Sequence, residues 1–572
     1  MRMSVRAAVP IALLAVAVFV SGCGDSSDDE STGSDSTGGE TTIPAVTSVA
    51  TTAAKSPQQG GSVTIGQFSP VGGFDPVNSL GGSGTVGGVE LTAIYDTILA
   101  RDVTTGEYVP RTAESMKPSS DFLTWTLKLK SGIKFTDGTS YDAAAVKLNV
   151  ERHTAPTSRS SSRAILAGSV KSIAVTDALT VTFTLTQPWA GFPVLFARDV
   201  GMIASPAAIA AAGNSFHSAP TKAGAGPFVV ESFKPGEALV LVRNESYYGA
   251  KPYLDKVTFV PMTDAQRGYD GLVTGGIQAT FMRVPDLIAK ARENKDLTVL
   301  AERIPGGNII DINAGVEVTC AAGAPAVHCA GKPDGTKVKT TSPGSDVRVR
   351  RAIAAAVDAS VVNDRAYTGK ANAGTQLFSK DFPLSPGVAG PKYDLELAKR
   401  LVNEAKAAGW DGSIRIYSIK DSAGQALGLA VSTMLELAGM TPQLDSNFDP
   451  PGMINKVIID RDYDLVIWGA GFGENFDGNY LTALRTFSTA GAATRSGYSS
   501  ATMDAAVGAM RTAATDAART AAYGKFAEVF TAEVPSLPLL ELENAFVTSK
   551  NLHGVTRGDN STFRLDKAWL ER

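Results

Sequence analysis

A chain of 572 residues can hold two or three domains and a sizeable core, and 44% hydrophobic with 19% charged residues is the composition of a globular protein, not of a disordered one. The formal net charge of −4 is too small for a global attraction to nucleic acid. Apart from one run near the start, no apolar stretch approaches the length of a membrane span.

Arg2 and Arg6 precede an apolar run from about Ala7 to Val20, followed by small residues, which is the layout of a secretory signal. "VSGC", Val20 to Cys23, resembles the bacterial lipobox, in which the signal is cut before the cysteine and the thiol carries lipid. Residues 1–22 are therefore read as signal peptide, Cys23 as lipid anchor and 23–59 as a disordered tether rich in Ser, Thr and Gly. The tether is acidic, since Asp25, Asp28, Asp29, Glu30, Asp35 and Glu40 face only Lys55, and the rest of the chain is close to neutral. An ordinary cleaved signal with an incidental cysteine is the alternative.

Farther on, "GSGTVG", Gly82 to Gly87, fits G-x-G-x-x-G, with Glu107 at the distance of a ribose-binding acid. The preceding strand "SVTIGQ" ends many residues earlier, so the tight strand-turn-helix context of a dinucleotide site is missing. In "FLTWTLKLK", Leu123, Trp125, Leu127 and Leu129 alternate with Thr and Lys, and "LTVTFTLT" repeats the pattern with Leu179, Val181, Phe183 and Leu185; both predict half-buried antiparallel strands. Cys320 and Cys329 in "CAAGAPAVHC" predict a disulfide on the oxidising side of a membrane, the alternative being a metal site with His328. "SDVRVRRAIAAAVDASVV" predicts a helix capped by Ser345 or Asp346, with a stripe at Val349, Ile353, Val357 and Val361. "YDLELAKRLVNEAKAAGW" predicts a second helix burying Leu397, Leu401 and Ala405 and ending at Gly409. Strands mixed with helices over this length suggest α/β lobes.

Several ordered blocks resemble the large solute-binding proteins of ABC importers, family 5, the oligopeptide, dipeptide and nickel-binding type. They are Thr112 to Arg152 around Phe135, Asp137 and Gly138; "GAGPF" and "RNESYY", with Gly224, Gly226, Pro227, Phe228, Arg243, Asn244 and Tyr247; "SDVRVRRAIAAAVD"; "YDLELAKRLVNEA"; and "SGYSSATMDAAV" followed by "EVPSLPLLEL". The resemblance implies an α/β, two-lobed periplasmic-binding-protein fold of the large cluster, its lobes joined by crossing strands. Residues 60–303 plus 539–572 would form lobe I, with an inserted subdomain at about 100–220, and 304–538 would form lobe II. Crossovers are expected near "ERIPGGNIIDINAG" and "SLPLLELENA".

The cleft is sought first in "DYDLVIWGAGFGENFDGNY", Asp462 to Tyr480, where a short apolar run gives way to glycines as a strand and its ligand-facing loop would. In relatives the aromatic, here Trp468, packs near the ligand and an aspartate three residues later holds a peptide ammonium; here that position is Gly471. Because a buried ammonium must be paired, either Glu474 or Asp477 takes the role from a shifted loop or the ligand has no free amine. Trp468, Gly469, Ala470, Gly471, Glu474 and Asp477 are the candidate ligand-binding residues on this loop. Thr85 and Gly87 join them from the glycine-rich loop and Asn244 from "VRNESYY", where a strand-end cap is the competing role.

No activated nucleophile, paired carboxylates, G-x-S-x-G, H-E-x-x-H or C-x-x-C is present, and the four histidines lack metal-ligand spacing, so no enzyme, cofactor or metal is expected. The resemblance implies a monomeric binding lipoprotein on the outer face of the cytoplasmic membrane that captures short peptides and passes them to permease subunits, without nucleic acid. The alternatives are another cargo on the same fold (a modified peptide, a glycan or haem) and an envelope regulatory or interaction protein.

Overall fold

The computed structural model describes residues 56–572 apart from 70–71, 79–82, 157, 322–323, 470 and 493–494. Cys23, the signal, most of the tether, Gly82 and Ala470 lie outside the described residues. The body runs Pro57–Arg572.

Seven elements position the site: β1 Ser62–Gln67, α1 Gly88–Tyr95, β2 Ala279–Met282, β3 Leu297–Ile312, β4 Leu465–Trp468, α2 Phe476–Thr486 and β5 Ser536–Ser549. The long strands β3 and β5 run antiparallel through the middle of one large sheet, paired from Leu297 opposite Ser549 to Asp311 opposite Ser536 with a register shift between Ile304 and Ile309. Each serves two neighbourhoods. At one end β5 pairs with β2 through Ala545–Thr548, and β2 leads to β1; at the other end β3 pairs with β4 through Ile309–Ile312.

The pairing breaks between Ile304 and Asn308, midway along β3. The cause is local: Pro305 has no N–H to give a ladder, Gly306 adopts φ +67°, and Gly307 lies so close to Leu542 that a Cβ there would come within 2.6 Å of the Leu542 Cβ. This irregularity falls in the segment where the family resemblance leads us to expect a crossover between lobes.

Each end of the sheet has its own core. One cluster gathers Val63, Ile65, Phe259, Phe281 and Phe546; the other gathers Ile310, Ile312, Ile353, Ile416, Leu465 and Leu537. A third joins the four-stranded sheet around Trp125, Leu127 and Phe183 to the helices beyond β4, through Trp189 against Tyr480 at 5.4 Å.

Strands Thr124–Leu129 and Thr180–Leu185 form where alternation predicts them, with Trp125, Leu127, Leu129, Val181, Phe183 and Leu185 buried. The helix capped by Asp346 ends at Ala356, and a new one begins at Ala359 under an Asp358 cap. Val361 therefore leaves the predicted stripe and is exposed. In the helix Leu395–Ala407 the fully buried face is Ala398, Val402 and Ala405, while Leu397 and Leu401 pack at its margin. Cys320 and Cys329 form a disulfide.

Candidate functional site

A cavity of about 540 Å3 opens beside the irregular middle of β3. Glu302, Ile304 and Gly307 of β3 and Asn544 of β5 line it from the crossing strands; Gly469, Gly471, Gly473 and Asn475 from the loop after β4; Arg485 from α2. Thr85 and Val86 reach it from the loop before α1, and Asp559 to Ser561 from a C-terminal loop. These two loops touch: Gly84 donates to the Asn560 carbonyl at 3.0 Å, and a Cβ on Gly84 would overlap the Ser561 carbonyl oxygen. The glycine of "GSGTVG" is thus used for chain packing, while the neighbouring threonine faces the cavity.

The loop after β4 is held on both sides. Asn479, buried in α2, accepts from the Gly473 N–H and donates to the Gly473 carbonyl, each at 2.8 Å, and the Phe472 N–H reaches the Pro305 carbonyl at 3.0 Å. Phe472 sinks into an aromatic cluster with Phe378, Phe487 and Phe526, leaving the glycines on either side to face the cavity. A Cβ at Gly471 would overlap Cγ2 of Ile304, so the isoleucine of the crossing strand fills the space an aspartate would need. Gly471→Asp is expected to cost about 2–3 kcal/mol by overpacking, and a double-mutant cycle with Ile304→Ala to recover about 1 kcal/mol or more of it. Denaturant unfolding of the four proteins measures the coupling, and a value near zero would mean that Ile304 is not the obstacle.

The two acids weighed as ammonium partners are both engaged. Glu474 forms an ion pair with Arg557 and borders a second cavity, of about 770 Å3, on the far side of Asn475. Asp477 is buried at the start of α2, accepts from the Tyr108 hydroxyl at 3.1 Å and pairs with Arg519 at 3.5 Å. Burial raises its pKa against the pull of Arg519. Asn244 donates to the Gly226 carbonyl at 2.8 Å and accepts from Ser246 N, the capping role, and does not border the cavity. Gly87, at φ +90°, caps α1 and is likewise set back. Trp468 stands one layer behind the wall: its indole donates to Asp311 at 2.7 Å, and Arg495, which does line the cavity, covers its ring at 4.7 Å.

The charged residues on the wall are ones the sequence does not single out. Arg198 pairs with Asp559 at 2.6 Å; burial would raise the Asp559 carboxyl, but the Arg198 charge overrides it and holds it low. Among the described residues Arg283 has a buried Nε without a partner, and its guanidinium lies 5.7 Å from the Phe68 ring. Arg485 projects from α2 into the cavity; burial, with Arg495 and Arg198 near, lowers its pKa. Asp199, 1% exposed, is pushed up to about 6 by burial. Arg485 and Asn479 stand on α2, a helix the sequence reading did not single out.

A model of bacterial extracellular solute-binding proteins, family 5 middle, matches residues 107–492. The chain belongs to family 5. Family 5 proteins of this kind are the solute-binding components of ABC importers and not enzymes. Among curated relatives, the glutathione-binding protein GsiB of Escherichia coli O1:K1 is 27% identical over 294 residues, 51% of this chain and 52% of the relative; GsiB of Escherichia coli K12 is 26% identical over the same share. The chain thus spans about half the length of the curated relatives it matches. Among solved structures, DppA of Helicobacter pylori in complex with the peptide STSA superposes with TM-score 0.72 at 19% identity, over 90% of this chain and 99% of that one. The oligopeptide-binding AppA of Bacillus subtilis with a nonapeptide gives 0.71 at 18%, over 90% and 100%. At these identities the structures establish the two-lobed fold of this family 5 protein.

Proposed function

We propose that this protein is a lipid-anchored, extracytoplasmic binding protein that captures short peptides in the 540 Å3 cavity beside the crossing strands and delivers them to an ABC importer permease. The observation that carries the reading is the cavity itself. Its volume lies within the usual range of ligand sites, about 300–1,000 Å3, and its wall combines glycine backbone with both signs of charge. Lobe I would be residues 60–303 plus 539–572 and lobe II 304–538, with ligand contacts to both favouring the closed arrangement that a permease recognises. Glycines at 469, 471 and 473 leave backbone groups open to an extended peptide, which suits affinity without one required side-chain sequence. Attachment through Cys23 would keep the protein at the outer face of the cytoplasmic membrane, and Cys23→Ala is expected to move it to the soluble fraction.

Native mass spectrometry of the purified protein, stripped and re-exposed to mixed tri- to pentapeptides, short glycans and haem, tests the cargo. A ladder of bound peptide masses is expected. A shift by glycan or haem alone would transfer the site to that cargo, and no shift at all would end the transport reading.

A further inference from the structure

At one end of this cavity the protein leaves acceptors without donors. Glu302 of β3 and Asn544 of β5 are register partners on the crossing strands, each 8% exposed, and both line the cavity. Ser561 ties them together: Asn544 Nδ2 donates to Ser561 Oγ at 2.9 Å, and Ser561 Oγ donates to Glu302 Oε2 at 2.6 Å. That chain uses one oxygen of the carboxylate and the nitrogen of the amide. Among the described residues Asn544 Oδ1 is buried with no hydrogen-bond partner, and beside it the Glu302 carboxylate accepts from Ser561 through Oε2 alone. Buried polar atoms are almost always satisfied, so the unpartnered Asn544 Oδ1, next to a carboxylate with one oxygen in use, marks a place in the cavity wall for a donor from outside the chain.

Among the described residues Glu302 also forms no ion pair. Of the charged groups that act on it, Asp559 and Glu474 repel its charge; Arg557 attracts it but is committed to Glu474 and the Ala301 carbonyl. Burial first, and then these acids, raise its pKa. Gly473 stands beside the carboxylate without a side chain, and a Cβ there would come to 3.0 Å from Glu302 Oε1. Two residues along the same strand, Ile304 occupies the space beside Gly471.

We infer that Glu302, with Asn544 beside it, binds a primary ammonium group of the cargo, taking from the crossing strand the role that Gly471 cannot fill from the loop. The inference rests on the reading of this cavity as the cargo site. The same cavity provides for the opposite charge: neither Arg283 nor Arg485 forms an ion pair among the described residues. The cargo class is therefore a zwitterion with a free amine and a carboxylate, such as an unblocked short peptide.

Isothermal titration with tri-alanine and N-acetyl-tri-alanine on the wild-type protein and on Glu302→Gln separates the possibilities. Glutamine keeps the shape and an acceptor for Ser561, and removes the charge. The wild type is expected to bind tri-alanine about 100-fold more tightly than its acetylated form, the effect of removing one member of a buried charge pair. In Glu302→Gln that preference should vanish through loss of tri-alanine affinity, with N-acetyl-tri-alanine little changed. Equal binding of both probes by the wild type, a comparison independent of any variant's folding, would overturn the ammonium site while leaving peptide capture intact. A Glu302→Gln protein that keeps the 100-fold preference would overturn the assignment to Glu302. Failure of the wild type to bind tri-alanine in either form would overturn the peptide reading and this inference together.

Discussion

Asp96→Ala is expected to destabilise the protein by about 3–5 kcal/mol, the cost of removing one member of a buried charge network and leaving its cations behind. Asp96 is 1% exposed just after α1, with φ +57° and ψ −174°, outside the left-handed helical region. Its two oxygens accept from Arg111 at 3.0 Å, Arg564 at 3.0 Å, the hydroxyls of Tyr247 and Tyr248 at 2.7 and 2.8 Å, and the Thr97 N–H at 2.7 Å. Burial by itself would raise this carboxyl, but the charges of Arg111 and Arg564 override it and hold the group well below the usual carboxylate range. A depressed folded pKa contributes stability that is fully present above the unfolded value and is lost as pH falls through the folded one. The gap between wild type and variant should therefore be constant from pH 5 to 8 and close only in strong acid. Denaturant unfolding across that range checks it, and a loss under about 1 kcal/mol at pH 7 would show that Arg111 and Arg564 are adequately served by Asp566 and solvent. The network matters to the site because it ties the C-terminal segment carrying Arg564 to α1, and the loops flanking both line the cavity.

Glu90→Gln should act in the opposite direction and with strong pH dependence. Glu90 is fully buried in α1; among the described residues neither carboxyl oxygen has a hydrogen-bond partner and the amide nitrogen of Gln67 is unpartnered as well, and the two side chains border a cavity of about 10 Å3. Burial pushes the carboxyl up to about 8, with its own backbone N–H offsetting only part of the effect. Here the folded pKa lies above the unfolded one, so the stability is fully present below pH 4.5 and is lost as pH rises through 8. Over that window the wild type should lose roughly 4 kcal/mol from this group, which glutamine, having no proton to release, would retain. Unfolding free energies of the two proteins at pH 5 and pH 9 test this: near equality at pH 5 and a more stable variant at pH 9 are expected, and parallel pH profiles would show that Glu90 does not titrate in the folded state.

The local structure of this protein was legible from its residues because it depends on near neighbours. Alternation in "TWTLKL" and "TVTFTL" places one face of each strand in the core, aspartates before apolar periodicity cap the helices, and two cysteines close together pair. The blocks around "FTDG", "GAGPF" and "RNESYY" were enough to indicate the family and with it the two-lobed fold. The loop carrying Gly469 and Gly471, singled out in the sequence, lines a cavity. Its electrostatics were not legible. Glu474 and Asp477 look free in the sequence, but Arg557 and Arg519 reach them from elements far along the chain. Glu302 and Asn544, more than two hundred positions apart, share a wall only because β3 and β5 run antiparallel in one particular register. Gly471 reads as a missing aspartate until Ile304 is seen filling its space. Periodicity and capping are set within a few residues, whereas the pairing of a charge and the occupancy of a cavity wall are set by strand register and lobe packing, which no short stretch of this chain encodes.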